Sequence, residues 1–368
     1  MNPGEASSDL TDASSAEAVA TDPPTTTDLA AACELEKSTC SGSASKEGSG
    51  LQVIDRCAYA LDERAVSAKA TPGTPVTVAD VLADANRIAT VVTSVPGLKN
   101  PAYAFRWQDD DVNSEAWIPQ GITGSPDAKG SGSTVVVSFY DDKEGRGVRL
   151  AFVNATGTPT YRFVLLAAAD GVSPVKIHAG GLAWYGDQLY VADTTHGFRV
   201  FDTRRIVRVA TDDVRFAGYK YVLPQSGAYE VASGCTPLFS WVSLDRDGTS
   251  LVSGEYCSTT ACAGPLAGRV YRWPLDPATG LLRSKRTYPT EAFLTGTKQV
   301  QGGALHGGAY FFSSSAPAGG GGELVRVTKT SSTKLAWSDT PEDLMVDGDR
   351  LWGLSEVAGE RFVYAAKP

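Results

Sequence analysis

Two histidines and several carboxylates stand beside apolar strand-like runs in this sequence, and these residue types carry proton transfer in proteins. His178 opens the stretch HAGGLAWYGDQLYVAD, and Glu342 lies in PEDLMV. A glutamate within hydrogen-bonding range of an imidazole would raise the pKa of the histidine and give an acid–base pair. We therefore take His178 and Glu342 as catalytic candidates, with Glu255 in SGEYC as a third. The alternative for each is a purely architectural role.

Other polar residues near the same runs are of types that bind polar ligands. Asp193 ends LYVAD, a position typical of a turn-forming aspartate, and Arg199 and Tyr256 suit either a ligand or a surface pair. His196 is expected to lie between strands, further from the functional end than His178. The ligand-binding candidates are Gln120, Gln301, Asp193, Arg199 and Tyr256.

Several classes of chemistry are excluded by missing motifs and by charge. The sequence has no Gly-x-Ser-x-Gly elbow, phosphate loop, Rossmann fingerprint or His-Glu-x-x-His pattern. A net charge of −9 argues against nucleic acid and against an anionic membrane surface as partners. No apolar run is long enough to span a bilayer. We predict no cofactor and no metal; the alternative is a calcium ion in a central channel, held by oxygen atoms of Glu342 and the two glutamines.

These candidates fall on a repeated pattern that predicts the elements positioning them. Each repeat has a polar or glycine start, an apolar strand, a turn at Gly or Asp-Gly, a second apolar strand and one or two further strand-like runs. Repeats recur at intervals of roughly 40 to 60 residues. Four strands per repeat are typical of a propeller blade. The matched positions are Gln120, Gly180, Phe239, Gln301 and Glu342. The sequence therefore predicts an all-β, five-bladed β-propeller whose inner strands place these residues around a channel.

The last repeat has only three strand-like runs before the chain ends. We predict that Ala102–Trp107 supplies the missing outer strand by pairing with Arg361–Ala366, since closure in one blade removes an exposed edge. One short N-terminal helix is predicted at Val78–Val92 from apolar residues at helical spacing, with Thr77 as its cap.

Composition divides the chain into three parts. Residues 1–50 are predicted to be a disordered polar tether, residues 51–95 an N-terminal extension that contains the helix at 78–92, and residues 96–368 the propeller. The tether is of the kind that follows a secretion signal, although this chain contains no signal peptide. Either a signal has been removed or the protein is intracellular, and the cysteines favour the first.

Six cysteines, some in polar surroundings, favour disulfides in an oxidising compartment. Zinc binding is the alternative, and it is disfavoured because no Cys-x2-Cys pair is present. Cys235 and Cys257 flank the first hairpin of the third repeat, so strand pairing would bring them together, and we predict a disulfide between them. A local Cys33–Cys40 pair is a further alternative. It would leave Cys57 to bond Cys262 by default.

The runs HAGGLAWYGDQLYVADTTHGFRVFD, FSWVSLDRDG, SGEYC, RVYRWPLD and TPEDL resemble a family of uncharacterised secreted proteins found mainly in actinobacteria. The resemblance covers roughly residues 96–368, implies a secreted propeller and supports the Cys235–Cys257 disulfide. More distantly, LYVADTTHGFRVFD is similar to NHL-type propellers, and PEDL is similar to gluconolactonase-like ones. No activity travels with these resemblances.

Two functions follow as expectations. The first is a secreted, monomeric binding protein that holds an extracellular small molecule or polysaccharide, such as a glycan, at the channel mouth. The second is a hydrolase or lyase on an extracellular polysaccharide, in which Glu342 shares acid and base roles with Glu255 or His178. The sequence leaves the choice between an enzyme and a binding protein open.

Overall fold

A computed structural model describes residue 33 and residues 50–232, 235–258, 268–315 and 321–368. The predicted tether, residues 1–50, lies outside these ranges apart from its two described residues, Cys33 and Gly50. None of the helices in the described ranges has the length and apolarity that a membrane span requires.

The described residues are mainly β-strand. The strands, numbered in chain order, are β1 Gln52–Val53, β2 Leu61–Arg64, β3 Thr74–Pro75, β4 Arg87–Ile88, β5 Thr90–Val91, β6 Tyr103–Arg106, β7 Trp117–Gly124, β8 Thr134–Asp141, β9 Val148–Asn154, β10 Thr160–Ala167, β11 Leu182–Tyr185, β12 Gln188–Asp193, β13 Gly197–Asp202, β14 Val207–Arg208, β15 Tyr221–Val231, β16 Trp241–Asp245, β17 Ser250–Gly254, β18 Arg269–Pro274, β19 Arg286–Thr287, β20 Glu291–Leu294, β21 Val300–His306, β22 Ala309–Ser314, β23 Glu323–Val327, β24 Ser332–Ala336, β25 Pro341–Asp347, β26 Arg350–Ser355 and β27 Phe362–Ala366. The helices are α1 Val78–Ala83, α2 Asp109–Val112 and α3 Ser125–Lys129, with 3-10 turns at Arg56–Ala58, Thr203–Arg205 and Val214–Phe216.

The longer strands pair as antiparallel meanders of four. In chain order these are β7–β10, then β11, β12, β13 and β15, then β16, β17, β18 and β20, then β21–β24, and last β25, β26, β27 and β6. We call them meanders one to five. The last meander takes its fourth strand from the N-terminal side, with Phe105 opposite Val363 and Tyr103 opposite Ala365. The predicted closure by Ala102–Trp107 is therefore confirmed.

Apolar clusters lie between successive meanders and also between the last and the first. In meander four, for example, Tyr310 and Phe312 pack toward meander three, whereas Phe311 packs toward meander five. Successive side chains of a strand point to opposite faces, so a strand buried on both faces must be apolar at nearly every position. The cluster that joins meander five to meander one includes Phe105, Phe139 and Trp352. The chain is thus an all-β propeller-type fold closed on itself.

The N-terminal extension runs around the outside of this body. Leu51 donates a backbone hydrogen bond to Thr328 of meander four. The strands β1, β2, β4 and β5 then pair in turn with the outer strands β20, β15, β10 and β6. Each pairing covers an outer edge that would otherwise present unpaired amides and carbonyls.

The helix predicted at Val78–Val92 is shorter than expected. Thr77 caps it in a capping box with Asp80, as the sequence indicates, but the helix ends at Ala83. The residues that follow form β4 and β5 instead, where Ile88 pairs with Thr160 and Val91 with Phe105. The β-branched residues gain edge pairing with the outer strands, and this overrides the helical spacing.

The structure bonds Cys33 to Cys57, so the sequence-based alternatives Cys33–Cys40 and Cys57–Cys262 are wrong. Cys57 lies in the 3-10 turn after β1, and the pairing of β1 with β20 fixes that turn against meander three. Tertiary pairing, rather than closeness in sequence, therefore selects the partner of Cys33. Cys40 and Cys262 lie outside the described residues. Cys235 and Cys257 are both disulfide-bonded and buried, and their mutual pairing stays a prediction.

Candidate functional site

The first strands of the meanders contact one another in cyclic order, with almost no space between their backbones. A Cβ atom added at Gly181 would lie 2.1 Å from the backbone nitrogen of Val242, and one at Gly302 would lie 2.4 Å from Cα of Asp343. Only glycine allows this approach. The predicted channel is therefore narrow where these strands meet.

A buried carboxylate ties the first strands together at the axis. Asp343 Oδ2 accepts hydrogen bonds from the backbone amides of Ile122 and Leu182, at 3.0 and 3.1 Å. Burial raises the pKa of Asp343 well above its usual range, although the amide hydrogen bonds oppose the shift. The sequence analysis passed over Asp343, which directly follows the candidate Glu342.

The matched positions carry β-bulges in three of the five first strands. The register shifts between Pro119 and Ile122 in β7, between Val300 and Gly302 in β21, and between Pro341 and Leu344 in β25. A bulge leaves a residue outside the ladder and re-aims its side chain, and bulges are common next to active sites. The residues re-aimed here include Gln120, Gln301 and Glu342.

Gln120, Gln301 and Glu342, at these bulges, lie with Glu356 at one end of the axis, which we call the upper end. Gln301 Nε2 donates to Glu342 Oε1 at 3.0 Å, and Gln120 Nε2 donates to Glu356 Oε2 at 3.0 Å. Glu356 follows the end of β26, which lies beside the start of β25 because the two strands are antiparallel. The sequence analysis missed Glu356, since no repeat marks it.

Neither glutamate has an ion-pair partner among the described residues. Glu342 is only 2% exposed. Burial, together with the nearby Glu356 and Asp343 carboxylates, raises its pKa well above the ordinary value. Burial also raises the pKa of Glu356, against the hydrogen bond from Gln120 and the charge of Arg361. Two carboxyl groups that repel each other take up protons stepwise, so one proton is held more tightly than the other.

Tyr140 lies near this pair, and His178 packs against Tyr140. Their ring centroids lie 4.5 Å apart. Burial, with the charges of Asp142, Glu356 and Glu342, raises the pKa of Tyr140 to about 12. The expectation that Glu342 raises the pKa of His178 is wrong. Desolvation by the surrounding protein lowers the pKa of His178, and the charge that opposes this shift is that of Asp142. His178 is exposed to solvent.

A second polar group lies on meander two, away from the axis. Asp193 Oδ1 lies 2.9 Å from His196 Nδ1, and Asp193 Oδ2 accepts from Arg199 Nε at 2.9 Å. Arg199 also donates to Gln225 at 3.1 Å. These four residues line a cavity of about 640 Å³ that Arg64 and Glu230 also border. The structure thus joins Asp193 and Arg199, but with His196 rather than with His178.

The remaining candidates on meander three form a third, compact group. Glu255 is 2% exposed, lies 2.7 Å from Arg269 Nε and accepts from the backbone amide of Leu238 at 2.9 Å. The Tyr256 hydroxyl accepts from Gln299 at 3.4 Å. Glu255 is therefore paired with Arg269, whereas Glu342 is hydrogen-bonded to Gln301.

At the upper end, the glutamine side chains act as hydrogen-bond donors. Gln120 and Gln301 both direct amide nitrogens, not oxygens, at the two glutamates. Within the described part of the chain, no group of three or more His, Cys, Asp or Glu residues is arranged to hold a metal ion. The calcium ion that the sequence analysis gave as an alternative stays a prediction.

No protein-family model matches the chain, and no curated protein matches it. The resemblance to secreted actinobacterial proteins thus remains an expectation. Among solved structures, the chain is similar to RS223 β-xylosidase, with 10% identity over 73% of this chain and 95% of that one and a TM-score of 0.40. It is similar to the GH43_1 enzyme from Xanthomonas citri, with 11% identity over 70% and 88% and a TM-score of 0.40. It is also similar to BamB from Moraxella catarrhalis, with 12% identity over 86% and 99% and a TM-score of 0.29. Likeness this distant says nothing about activity.

Proposed function

We propose that the protein is a secreted five-bladed β-propeller that hydrolyses a neutral glycan at its upper end, with Glu342 and Glu356 as the reacting carboxyl groups. The observation that carries the proposal is that these two glutamates lie together at the axis, hydrogen-bonded by glutamine amides and, among the described residues, without a salt bridge to either carboxyl group. The five meanders and their cyclic contacts support the blade count. The Cys33–Cys57 disulfide supports an oxidising, extracellular compartment.

The two glutamates suit different roles. Glu342 is the more deeply buried, and its raised pKa keeps it protonated, so it donates a proton to the glycosidic oxygen as the C–O bond breaks. Glu356 lies on the loop after β26 and is more exposed, so it takes the proton from the attacking water. One proton is given and one is taken, and the pair returns to its starting state after proton exchange with solvent.

The surrounding residues suit a neutral, hydroxyl-rich substrate. Gln120 and Gln301 retain amide oxygens that accept hydrogen bonds from hydroxyl groups. Tyr140 and His178 supply an aromatic wall on which a sugar ring packs. A chain of net charge −9 with two carboxyl groups at the site repels acidic polymers. A neutral glycan is therefore the substrate class that fits.

The experiment is a screen of the purified full chain against neutral polysaccharides and aryl glycosides, scoring binding and sugar release separately. Glu342→Gln and Glu356→Gln should each lower sugar release by at least about a hundredfold while binding persists. Glu360→Gln is the matched control, because Glu360 is an exposed acid on the same loop as Glu356. Binding without sugar release by the wild type would establish a binding protein instead. Release that survives both substitutions would reject the assignment of the carboxyl groups.

A further inference from the structure

A cavity of about 280 Å³ opens on meander one, and neither of the two glutamates lines it. Its walls come from the extension, from β7, β9, β10 and the loop between β8 and β9, and from the segment before β15. Every charged residue in its lining is a cation, although the chain as a whole is acidic. These cations are Arg87, Arg146, Arg149, Arg162 and Lys220.

The neutralising carboxylates lie behind these cations and not in the lining. Asp111 is buried and lies 3.0 Å from both Arg87 Nη1 and Arg149 Nη2. Asp84 accepts from Lys220 at 2.8 Å, and this contact lowers the pKa of Asp84. Arg146 Nε likewise lies 2.6 Å from Asp141 and 3.3 Å from Glu144. Five lining cations thus share four carboxylates, none of which is itself in the lining, and the lining keeps an excess of positive charge. An anion that enters meets cations and no carboxylate among the lining residues.

Arg149 gives this cavity a rigid floor. The residue is 6% exposed, and its guanidinium carbon lies 3.6 Å from the centroid of Phe163 and 4.3 Å from that of Trp117. Stacking on aromatic rings fixes the plane of a guanidinium and hence the direction of its N–H groups. Among the described residues, Arg149 Nε has no hydrogen-bond partner. A buried donor of this kind costs free energy unless something accepts from it.

We infer that this cavity is a binding site for an oxyanion, namely a phosphate or sulfate group, free or carried by a small molecule. Guanidinium groups pair with such oxyanions through parallel hydrogen bonds. Lys220 adds a point charge, and Asn86 and Tyr219 add uncharged polar groups to the lining. Arg87 lies on β4, so the extension completes the site. The inference does not depend on the proposed hydrolysis, since none of the lining residues touches Glu342 or Glu356.

The test is calorimetric titration of the full chain with inorganic phosphate, inorganic sulfate, a hexose phosphate and the free hexose. We expect binding of one or more of the three anions at millimolar concentration or below, weakened by added sodium chloride, and no binding of the free hexose at this site. Tighter binding of the hexose phosphate than of inorganic phosphate would identify a substituted ligand, and equal binding would identify the free ion. Failure of all three anions to bind at low salt would overturn the inference.

The variants are Lys220→Gln and the double variant Arg87→Gln with Lys220→Gln. Each should weaken anion binding, the double variant by on the order of tenfold or more. Arg204→Gln is the matched control, because Arg204 is an exposed cation paired with Asp202 on meander two. An equal loss in the control would show that only net charge matters and would overturn the site. If the double variant melts early, the single Lys220→Gln variant decides, since Lys220 is a partly exposed rim residue.

Discussion

Two sets of carboxylates at the strand ends differ in what holds them. Glu255 and Asp193 each face an arginine, Arg269 at 2.7 Å and Arg199 at 2.9 Å. The carboxyl groups of Glu342 and Glu356 are hydrogen-bonded by glutamine amides, and Arg361 bonds the backbone carbonyl of Glu356 rather than its carboxyl group. All are carboxylates held near the ends of strands in the same fold, and several are almost fully buried.

Under the proposed function, the difference separates carboxylates that stabilise the fold from carboxyl groups that react. An arginine satisfies a carboxylate with charge and with fixed hydrogen bonds, so losing the ionised form would be costly. A glutamine amide supplies a hydrogen bond without charge, so the carboxyl group can gain and lose a proton. A residue type alone therefore does not identify a catalytic acid; the partner of that residue does.

The largest expected effect tests the arginine-paired set. Arg269→Gln leaves the Glu255 carboxylate buried without its cation, and breaking such a pair should lower the free energy of unfolding by about 4 kcal/mol. Urea denaturation of the variant and the wild type measures the difference. The double variant with Glu255→Gln should recover part of the loss, because it removes the unpaired charge. A loss below about 1 kcal/mol would remove the contrast between the two sets.

A buried carboxyl group near the opposite ends of the first strands extends the comparison. Thr123 donates to Asp127 at 2.7 Å, and burial raises the pKa of Asp127 to about 8. The folded state then holds a proton that the unfolded state loses above its ordinary pKa, so stability falls as pH rises from about 4 to 8. Between pH 5 and pH 8, the free energy of unfolding should therefore decrease by about 3 kcal/mol less in Asp127→Asn than in the wild type. Denaturation curves of both proteins at pH 5 and pH 8 measure this. An equal drop in the free energy of unfolding for the wild type and the variant would contradict the prediction.

The sequence predicted the closing strand because closure depends on pattern alone. Ala102–Trp107 is an apolar, strand-like run, and the last repeat lacked a strand, so pairing of β6 with β27 followed. The helix at 78–92 failed past Ala83 because edge pairing with β10 and β6 depends on tertiary position. Local spacing cannot report that.

The candidate site was predicted in part for a similar reason. Gln120, Gln301 and Glu342 were found because they recur at matched positions of the repeat. Their directions were not predictable, because β-bulges break the two-residue alternation at those positions. Glu356 lies on a loop with no repeat, and only the pairing of β25 with β26 brings it to Glu342.

A smaller effect is expected for the second arginine-paired carboxylate. The Arg199 side chain is more exposed than that of Arg269. In Arg199→Gln, water can therefore replace part of the hydrogen bonding that Asp193 loses. We expect a loss of about 1 kcal/mol in the free energy of unfolding. Arg204→Gln, which breaks an exposed pair with Asp202, should change it by less than about 0.5 kcal/mol. If Arg199→Gln lowers the free energy of unfolding as much as Arg269→Gln does, the exposure of the arginine does not determine the size of the loss.

The smallest effect on stability, and the sharpest on chemistry, is expected for Glu342→Gln. Because the pKa of Glu342 is raised in the folded state, the wild type is most stable below the ordinary glutamate pKa and loses stability as pH rises through the raised value. Glutamine resembles the protonated acid and cannot ionise, so the variant should match the wild type within about 1 kcal/mol at pH 5 and equal or exceed it at pH 8. Sugar release should be lost at both pH values, since the proton donor is gone. A variant that is unstable at pH 5 would show that Glu342 holds the ring together as Asp343 does, and the distinction between arginine-held and glutamine-held carboxylates would no longer identify the reacting group.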